Sequence, residues 1–564
     1  MTRPLSAATA QSLNAIQALI QAGQLEQAQL ACRQLLKRER GCSPAAEILA
    51  EILLGQGAAS EAEALLRPFC RKEGASFELQ SLRAAALKAL GDKAGSLAQY
   101  QAAAKLAAND PIAAHNVAAG FGDLGRDQDA VAQAERALRL GGRAPETLLV
   151  LGRGLQGLRQ FDRAKQAFEA ALSLRPNYAE ALRDLSHLIW MSTGDAAAAL
   201  APVDQALAQA PKQANALGDL LWVKLRLLSH IHGEAAALAL ARTEIAAIGQ
   251  DPRLALEFSW LLLKDAPADA LAIAQQLVAR FPSERLPKKA VVQALLALGE
   301  AKAAADLAFE MVTEQPGDQQ AIADLTSAWR LSGDPRLGDL YDYPAVFQAL
   351  MIDCPAGWTH LTDFLDDLRT SLNSVHLLKA HPIEQSIRGG SQTSHNLVTS
   401  DDPVIAAFFQ AIQGPIRAYR DHLGQGLDLL RRRNVGGHRI DEAWSVRLRP
   451  QGFHVDHIHP NGWISSAFYA DVPPQVQTSD RHEGWLRLGA PPTPTAPTLE
   501  AGHFVQPKPG LLALFPSYMW HGTVPFGGEA SRMSLAFDVL PGAQPRCVNP
   551  VAGSTGYRPP AAAG

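Results

Sequence analysis

Gly23, Gly57, Gly91 and Gly125 stand 34 residues apart. The same interval separates Ala28, Ala62, Ser96, Ala130 and Ala164, and again Ala103, Ala137 and Ala171. A period held in three registers over four or five cycles means that the first half of the chain repeats one supersecondary unit instead of folding as a single globule. The residues between these marks are helix formers, rich in Ala, Leu, Gln, Glu and Arg. The periodic glycine fits a helix end in the left-handed conformation, where a Cβ would clash. The small residues that follow let paired helices approach closely. Pro111, Pro145 and Pro176 fall where one unit stops and the next begins, because proline lacks the N–H that helix propagation uses. The period therefore predicts roughly eight or nine helix pairs, from about residue 10 to residue 335.

This pattern resembles the tetratricopeptide repeat, and the segment from Leu151 to Tyr178, LGRGLQGLRQFDRAKQAFEAALSLRPNY, carries the resemblance best. Beyond Pro176 the register loosens, with related segments ending at Pro211 and Pro316. Repeats of this kind stack on their neighbours into a solenoid with a concave groove. The resemblance implies a peptide or protein partner in that groove, and the other use of such an array is self-association of the chain. At 47% hydrophobic residues the sequence has ample material for packed cores. Lys plus Arg number 52 against 56 Asp plus Glu, a net charge of −4, so no nucleic acid or anionic membrane is expected as a partner. Five cysteines, none in a CxxC pair, exclude a disulfide framework and a zinc ribbon. With no run of ~18 apolar residues and no apolar leader at the start, a soluble cytoplasmic protein is expected.

After residues 331–344 the alanine-rich period stops. Helical segments are predicted over 345–375 and 403–431. From about 440 the composition turns to short strands between Pro/Gly clusters, over 443–450, 463–472, 484–489, 503–507, 510–516 and 531–540. The domain organisation read from these shifts is a multidomain chain. Helical repeats cover 1–335, a helical and loop lead-in 336–439, a strand-rich core 440–542, and a loose tail 543–564. Six short strands of this kind predict a sandwich or jelly roll.

The chemistry concentrates in GFHVDHIHP, where His454, Asp456, His457 and His459 lie within six residues. His521 follows in LFPSYMWHGTVPF, and Arg532 and Ser534 open the last strand eleven and thirteen residues later. Alternation in SRMSLAFDV puts Arg532, Ser534, Ala536 and Asp538 on one face. Two ligands two residues apart plus a distant histidine form one face of an octahedron and leave the other positions open, as a non-haem Fe(II) oxygenase requires. An arginine fork suits the far carboxylate of a 2-oxoglutarate co-substrate, and a neighbouring serine adds one bond. Spacing alone offers His454 and Asp456 with His521 as a two-histidine, one-carboxylate set.

Residues ~380–540 resemble the 2-oxoglutarate/Fe(II) oxygenase family found fused behind tetratricopeptide repeats in bacteria. The matching stretches are HPIEQSIRGGSQT (381–393), WSVRLRPQGFHVDHIHPNGWISSAFYADVP (444–473), PGLLALFPSYMWHGTVPF and RMSLAFDV. The resemblance implies a double-stranded β-helix, or jelly-roll, core within an α+β domain. It also implies Fe(II), 2-oxoglutarate and dioxygen as cofactor and co-substrates. It favours His457, His459 and His521 as metal ligands, with Asp456 orienting an imidazole, and the pair His454/Asp456 stays open as the alternative. Arg532 and Ser534 are the expected co-substrate contacts, and Gln392, Thr393 and Asn396 are candidate substrate contacts. Trp463, Phe468, Tyr469, Trp485 and Phe515 are read as core. The expected activity is hydroxylation of a peptide or protein brought by the repeats. The alternatives are a repeat scaffold with an inactive barrel and a three-histidine metal enzyme that does not use 2-oxoglutarate.

Overall fold

A computed structural model of the chain describes residues 6–71, 75–209 and 214–542, which pack as two compact units, Met1–Leu185 and Ser186–Gly564. The expected tail 543–564 and the repeat end at Pro211 lie outside the described residues.

In the first unit, helices pair as the period predicts: Ala7–Gln21 with Leu25–Arg38, Ser43–Gly55 with Ala59–Cys70, and so on to Pro145–Gly157 with Phe161–Leu174. The glycines at 23, 57, 91 and 125 follow the first helix of each pair at φ +72, +76, +81 and +67. The fifth cycle puts Arg159 at the same place with φ +60, so the backbone keeps the turn where the glycine is lost. Ala28, Ala62, Ala130 and Ala164 are fully buried, and Pro111 and Pro145 start their helices at the first turn.

Paired helices continue in the second unit from Ala196–Gln209 to Gln319–Ser332. The last of them do not stand apart from the sheet. Leu296, Ala308, Met311, Ile322, Leu325 and Trp329 belong to one core with Trp463, Phe468, Phe515 and Phe537. Trp520 donates its indole N–H to Ser327 Oγ (3.1 Å), and Tyr518 donates its hydroxyl to the Leu340 carbonyl (2.8 Å). The strand-rich fold is therefore built on a helical floor.

Nine strands follow among the described residues: β1 Gln348–Met351, β2 Ile387–Gln392, β3 His438–His454, β4 Ile464–Asp471, β5 Leu486–Leu488, β6 His503–Val505, β7 Leu511–Pro516, β8 His521–Thr523 and β9 Arg532–Pro541. They form a six-stranded sheet, β1-β7-β4-β9-β3-β2, and a three-stranded sheet, β6-β5-β8. All pairings are antiparallel, consistent with a jelly roll. The six predicted strands are present. The helix expected over 345–375 is shorter, Leu361–Val375, because Gln348–Met351 forms an edge strand instead. Its partner is β7, with Gln348 opposite Leu514, more than a hundred residues away, and local composition carries no trace of that pairing. Among the described residues no helix is long and apolar enough to cross a membrane.

Candidate active site

Backbone pairing assembles the histidines before any side chain acts. His457 and His521 form an isolated antiparallel bridge, with His457 N–H donating to the His521 carbonyl (2.9 Å) and His521 N–H to the His457 carbonyl (3.0 Å). His459 N–H donates to the Ser517 carbonyl (3.0 Å). The rings then lie close, with centroids 4.1 Å apart for His457 and His521, 4.9 Å for His459 and His521, and 5.2 Å for His457 and His459.

Each of the three rings is turned the same way. His457 Nδ1 meets the Val455 carbonyl (2.9 Å), His521 Nδ1 the Met519 carbonyl (2.9 Å), and His459 Nδ1 the Asp538 carboxylate (2.5 Å) with Ser465 Oγ beside it (2.9 Å). These acceptors assign the proton to Nδ1 and leave Nε2 as a bare lone pair on every ring. One ligand atom from each ring lies within 4.8 Å of the others, and the Nε2 atoms of His457 and His459 face each other at 3.3 Å. Two nitrogen ligands about 2.1 Å from one divalent metal, at a right angle, stand about 3 Å apart. Burial and the neighbouring rings push His457 down to about 3 and hold His521 well below the ordinary imidazole range. Neutral imidazoles anchored through Nδ1 are the form that ligates a metal, so the donor set fits Fe(II).

The other two residues of the cluster do something else. Asp456 is buried and clamped by Arg487, whose Nε donates to Oδ1 (3.0 Å) and whose Nη2 donates to Oδ2. Gly522 makes room for that pair, since a Cβ there would sit 2.5 Å from Asp456 Oδ1. His454 Nδ1 lies 2.9 Å from Ser386 Oγ, which is also 3.2 Å from His457 Nε2. Neither His454 nor Asp456 joins the convergent group of ligand atoms.

Beside the histidines, a cavity of about 540 Å³ is lined by Arg532, Ser534, Ala536 and Asp538 of β9, as the alternation predicts. Arg532 is 2% exposed. It has no carboxylate partner among the described residues. One Nη donates to the Gly484 carbonyl, and Nε has no partner. Burial lowers its pKa, while the Tyr469 ring 5.6 Å away works in the opposite direction. The Tyr469 hydroxyl is also buried and without a partner, and Tyr469 sits directly across from Ser534 on the neighbouring strand. A buried guanidinium with free donors costs stability unless an anion occupies the space before it. A dicarboxylate co-substrate meets that need.

Of the candidate substrate contacts, Gln392 lines the cavity. Thr393 and Asn396 are spent on backbone: Thr393 Oγ1 accepts from Ser445 N–H, and Asn396 holds the Asp441 carbonyl and the Ala443 N–H. Three lining residues carry no signal in the sequence. Ser386 precedes β2, Tyr469 reads as ordinary core, and His230 comes from the helix Ala214–His232. The loop before β2 is tied to helical residues at several points. His187 Nε2 accepts from Ile383 N–H (2.8 Å), Trp190 Nε1 donates to the His381 carbonyl (2.9 Å), and Arg226 pairs with Glu384 (3.2 Å).

Residues 442–538 match the family model described as "Putative 2OG-Fe(II) oxygenase". Similar solved structures include a tetratricopeptide repeat protein from Parabacteroides merdae, at 13% identity over 51% of this chain and 98% of that one, with a TM-score of 0.36. The C-terminal part of a repeat-containing protein from Cytophaga hutchinsonii matches at 13% identity over 50% and 99%, with a TM-score of 0.28. YrrB, described as a TPR protein with an unusual peptide-binding site, matches at 17% identity over 30% and 88%, with a TM-score of 0.27. The comparison with curated proteins finds no match. The chain thus joins an N-terminal helical array of the tetratricopeptide kind to a C-terminal antiparallel domain similar to the 2-oxoglutarate/Fe(II) oxygenases.

Proposed function

We propose that the chain is a 2-oxoglutarate- and Fe(II)-dependent oxygenase that hydroxylates a peptide or protein brought to it by the repeat array, in a reducing cytoplasm where Cys32, Cys42, Cys70 and Cys354 stay free. One observation carries the reading: three Nδ1-anchored imidazoles turn their bare Nε2 atoms together beside a buried arginine that has no counter-charge. Bound iron with 2-oxoglutarate supplies dioxygen activation and oxygen insertion into a substrate C–H bond. The chain's residues bind and aim. His457, His459 and His521 would hold the metal, and Asp538 fixes the His459 tautomer and ring orientation. Arg532 would take the far carboxylate through its fork, with the Ser534 and Tyr469 hydroxyls as further donors. The rings of Trp444 and Phe515, 5.3 Å from His459 and 4.7 Å from His521, keep the histidines dry. The substrate side of the cavity is bounded by Gln392, Ser386 and His230.

The test is anaerobic titration with Fe(II) and 2-oxoglutarate, following the weak visible charge-transfer band. The band is expected in the wild type, absent in His521→Ala and weakened in Arg532→Ala. A protein that retains iron without a band is the three-histidine metal enzyme, the reading that the all-imidazole set keeps open and that Arg532 with Ser534 speaks against. A folded protein that retains no iron is a repeat scaffold with an inactive barrel. Peptide hydroxylation is read as one added oxygen, by mass, on a peptide that co-purifies with the array.

A further inference from the structure

A second cavity, of about 430 Å³, lies on the opposite side of the β2–β3 ribbon from the candidate active site. Side-chain alternation divides the ribbon between them. Gln392, Trp444 and Val446 line the first cavity, and Ser391, Arg447 and Arg449 line the second. Lys379 completes a lining with three cations and no carboxylate. Among the described residues none of the three cations forms an ion pair.

Arg447 is half-buried while Arg449 and Lys379 are exposed, and few of their donors are spent on the protein. Arg447 gives one bond to Asn373 Oδ1 (3.3 Å), and Arg449 one to the Lys379 carbonyl (2.9 Å), out of five N–H donors on each guanidinium. The Lys379 loop is itself pinned, since the N–H groups of Lys379 and Ala380 both donate to the Met191 carbonyl (2.8 and 3.0 Å). The neighbouring charge of Arg449 adds to burial in lowering the Arg447 pKa: two like charges are kept side by side. His376 does not relieve them. Its two ring nitrogens are bound to Ser391 Oγ (2.9 Å) and Ser445 Oγ (3.0 Å), and burial with the Arg447 charge pushes it down to about 4. It braces the floor as a neutral ring.

We propose that this cavity is a binding site for a phosphate dianion, either free orthophosphate or the phosphate group of a small phosphomonoester. Three cations on one cavity lining exceed what a single carboxylate neutralises, and two arginine forks with a lysine match the several acceptor oxygens of a tetrahedral dianion. Bound there, phosphate ties β2, β3 and the Lys379 loop together from behind the wall that carries Gln392 and Trp444. The proposal stands independently of the oxygenase reading.

The experiment is calorimetric titration of the full chain with orthophosphate and, separately, with glycerol 3-phosphate, near neutral pH in chloride of matched ionic strength. A site that does not depend on Arg532 is expected, weakened at least about tenfold in Arg447→Gln/Arg449→Gln and retained in Arg532→Ala, whose cation lies in the other cavity. Tighter binding of glycerol 3-phosphate assigns the phosphomonoester, and equal or weaker binding assigns orthophosphate. Should the double variant fail to fold, the exposed Lys379→Gln gives the same readout as a several-fold loss. No binding of either anion overturns the proposal. So does binding that survives the arginine substitutions and disappears in Arg532→Ala.

Discussion

From Ala7 to Leu174 the buried positions are mostly Ala and Leu at a fixed interval, and the few buried polar side chains that are paired bond locally or to the neighbouring repeat, as Glu63 does to Arg67 and Arg83, while Ser96 Oγ has no partner. In the strand-rich fold the interior holds Ser445, Asp456, His459, Ser465, Ser517, His521, Arg532 and Ser534, several of which bond to partners 52 to 89 residues away. Each repeat needs only its neighbour, so its stability accumulates locally. The sheet domain uses non-local pairing to bury polar groups and orient them, and it carries a guanidinium and several imidazoles in low-dielectric surroundings for that purpose.

Acid should separate the two regions most strongly. Burial holds His230 and His457 at about 3, His376 and His381 at about 4, and His454 and His521 well below the ordinary value. In the first unit only His115 is lowered among the described residues. The unfolded chain takes up these protons near 6.5, while the folded chain refuses them. The folded state thus binds fewer protons, and stability, full above about 6.5, falls as the pH drops toward 3, at up to ~1.4 kcal/mol per pH unit for each histidine. Hydrogen exchange resolved by region should show metal-free Ser186–Gly564 opening first on acidification, with the helices of Met1–Leu185 still protected. Simultaneous loss would break the comparison.

The repeats should instead be most sensitive to cavities. Phe168 is fully buried against Gly152, where a Cβ would lie 2.4 Å from its ring. Phe168→Ala should cost about 3–5 kcal/mol, seen as early melting of the helices around residues 145–174, with iron binding retained. Asp538→Asn should do the reverse. It leaves the fold in place and weakens metal binding about 10- to 100-fold, measured by competition with a chelator. The smallest effect belongs to Tyr469→Phe. Its hydroxyl is buried without a partner, so the unliganded protein should be no less stable, while 2-oxoglutarate binding weakens by about tenfold or less.

The repeat array was legible because its signals are local. The glycine at each helix end, the small residue at the pair's crossing and the proline at a helix start each act within a few residues, so a 34-residue period exposes them all. The cluster GFHVDHIHP, the distant His521 and the Arg532/Ser534 strand were legible for a similar reason, as motif spacing and β alternation are properties of short segments. Edge strand β1, Ser386, the role of the Tyr469 hydroxyl and the His230 wall were not legible. Each depends on a partner far along the chain, and no local preference encodes it.

Sequence by itself determined the helical repeats, the strand-rich C-terminal domain and the short set of residues in which the chemistry could lie. The tertiary structure decided how those residues are used. Carbonyls of Val455 and Met519 and the carboxylate of Asp538 turn three Nε2 atoms toward one point, Arg487 draws Asp456 away from it, and the helices before residue 335 share the sheet's core. The physical reason is that a propensity or a period is set by neighbours in sequence, whereas a proton's position on an imidazole, or a buried charge left without a partner, is set by neighbours in space.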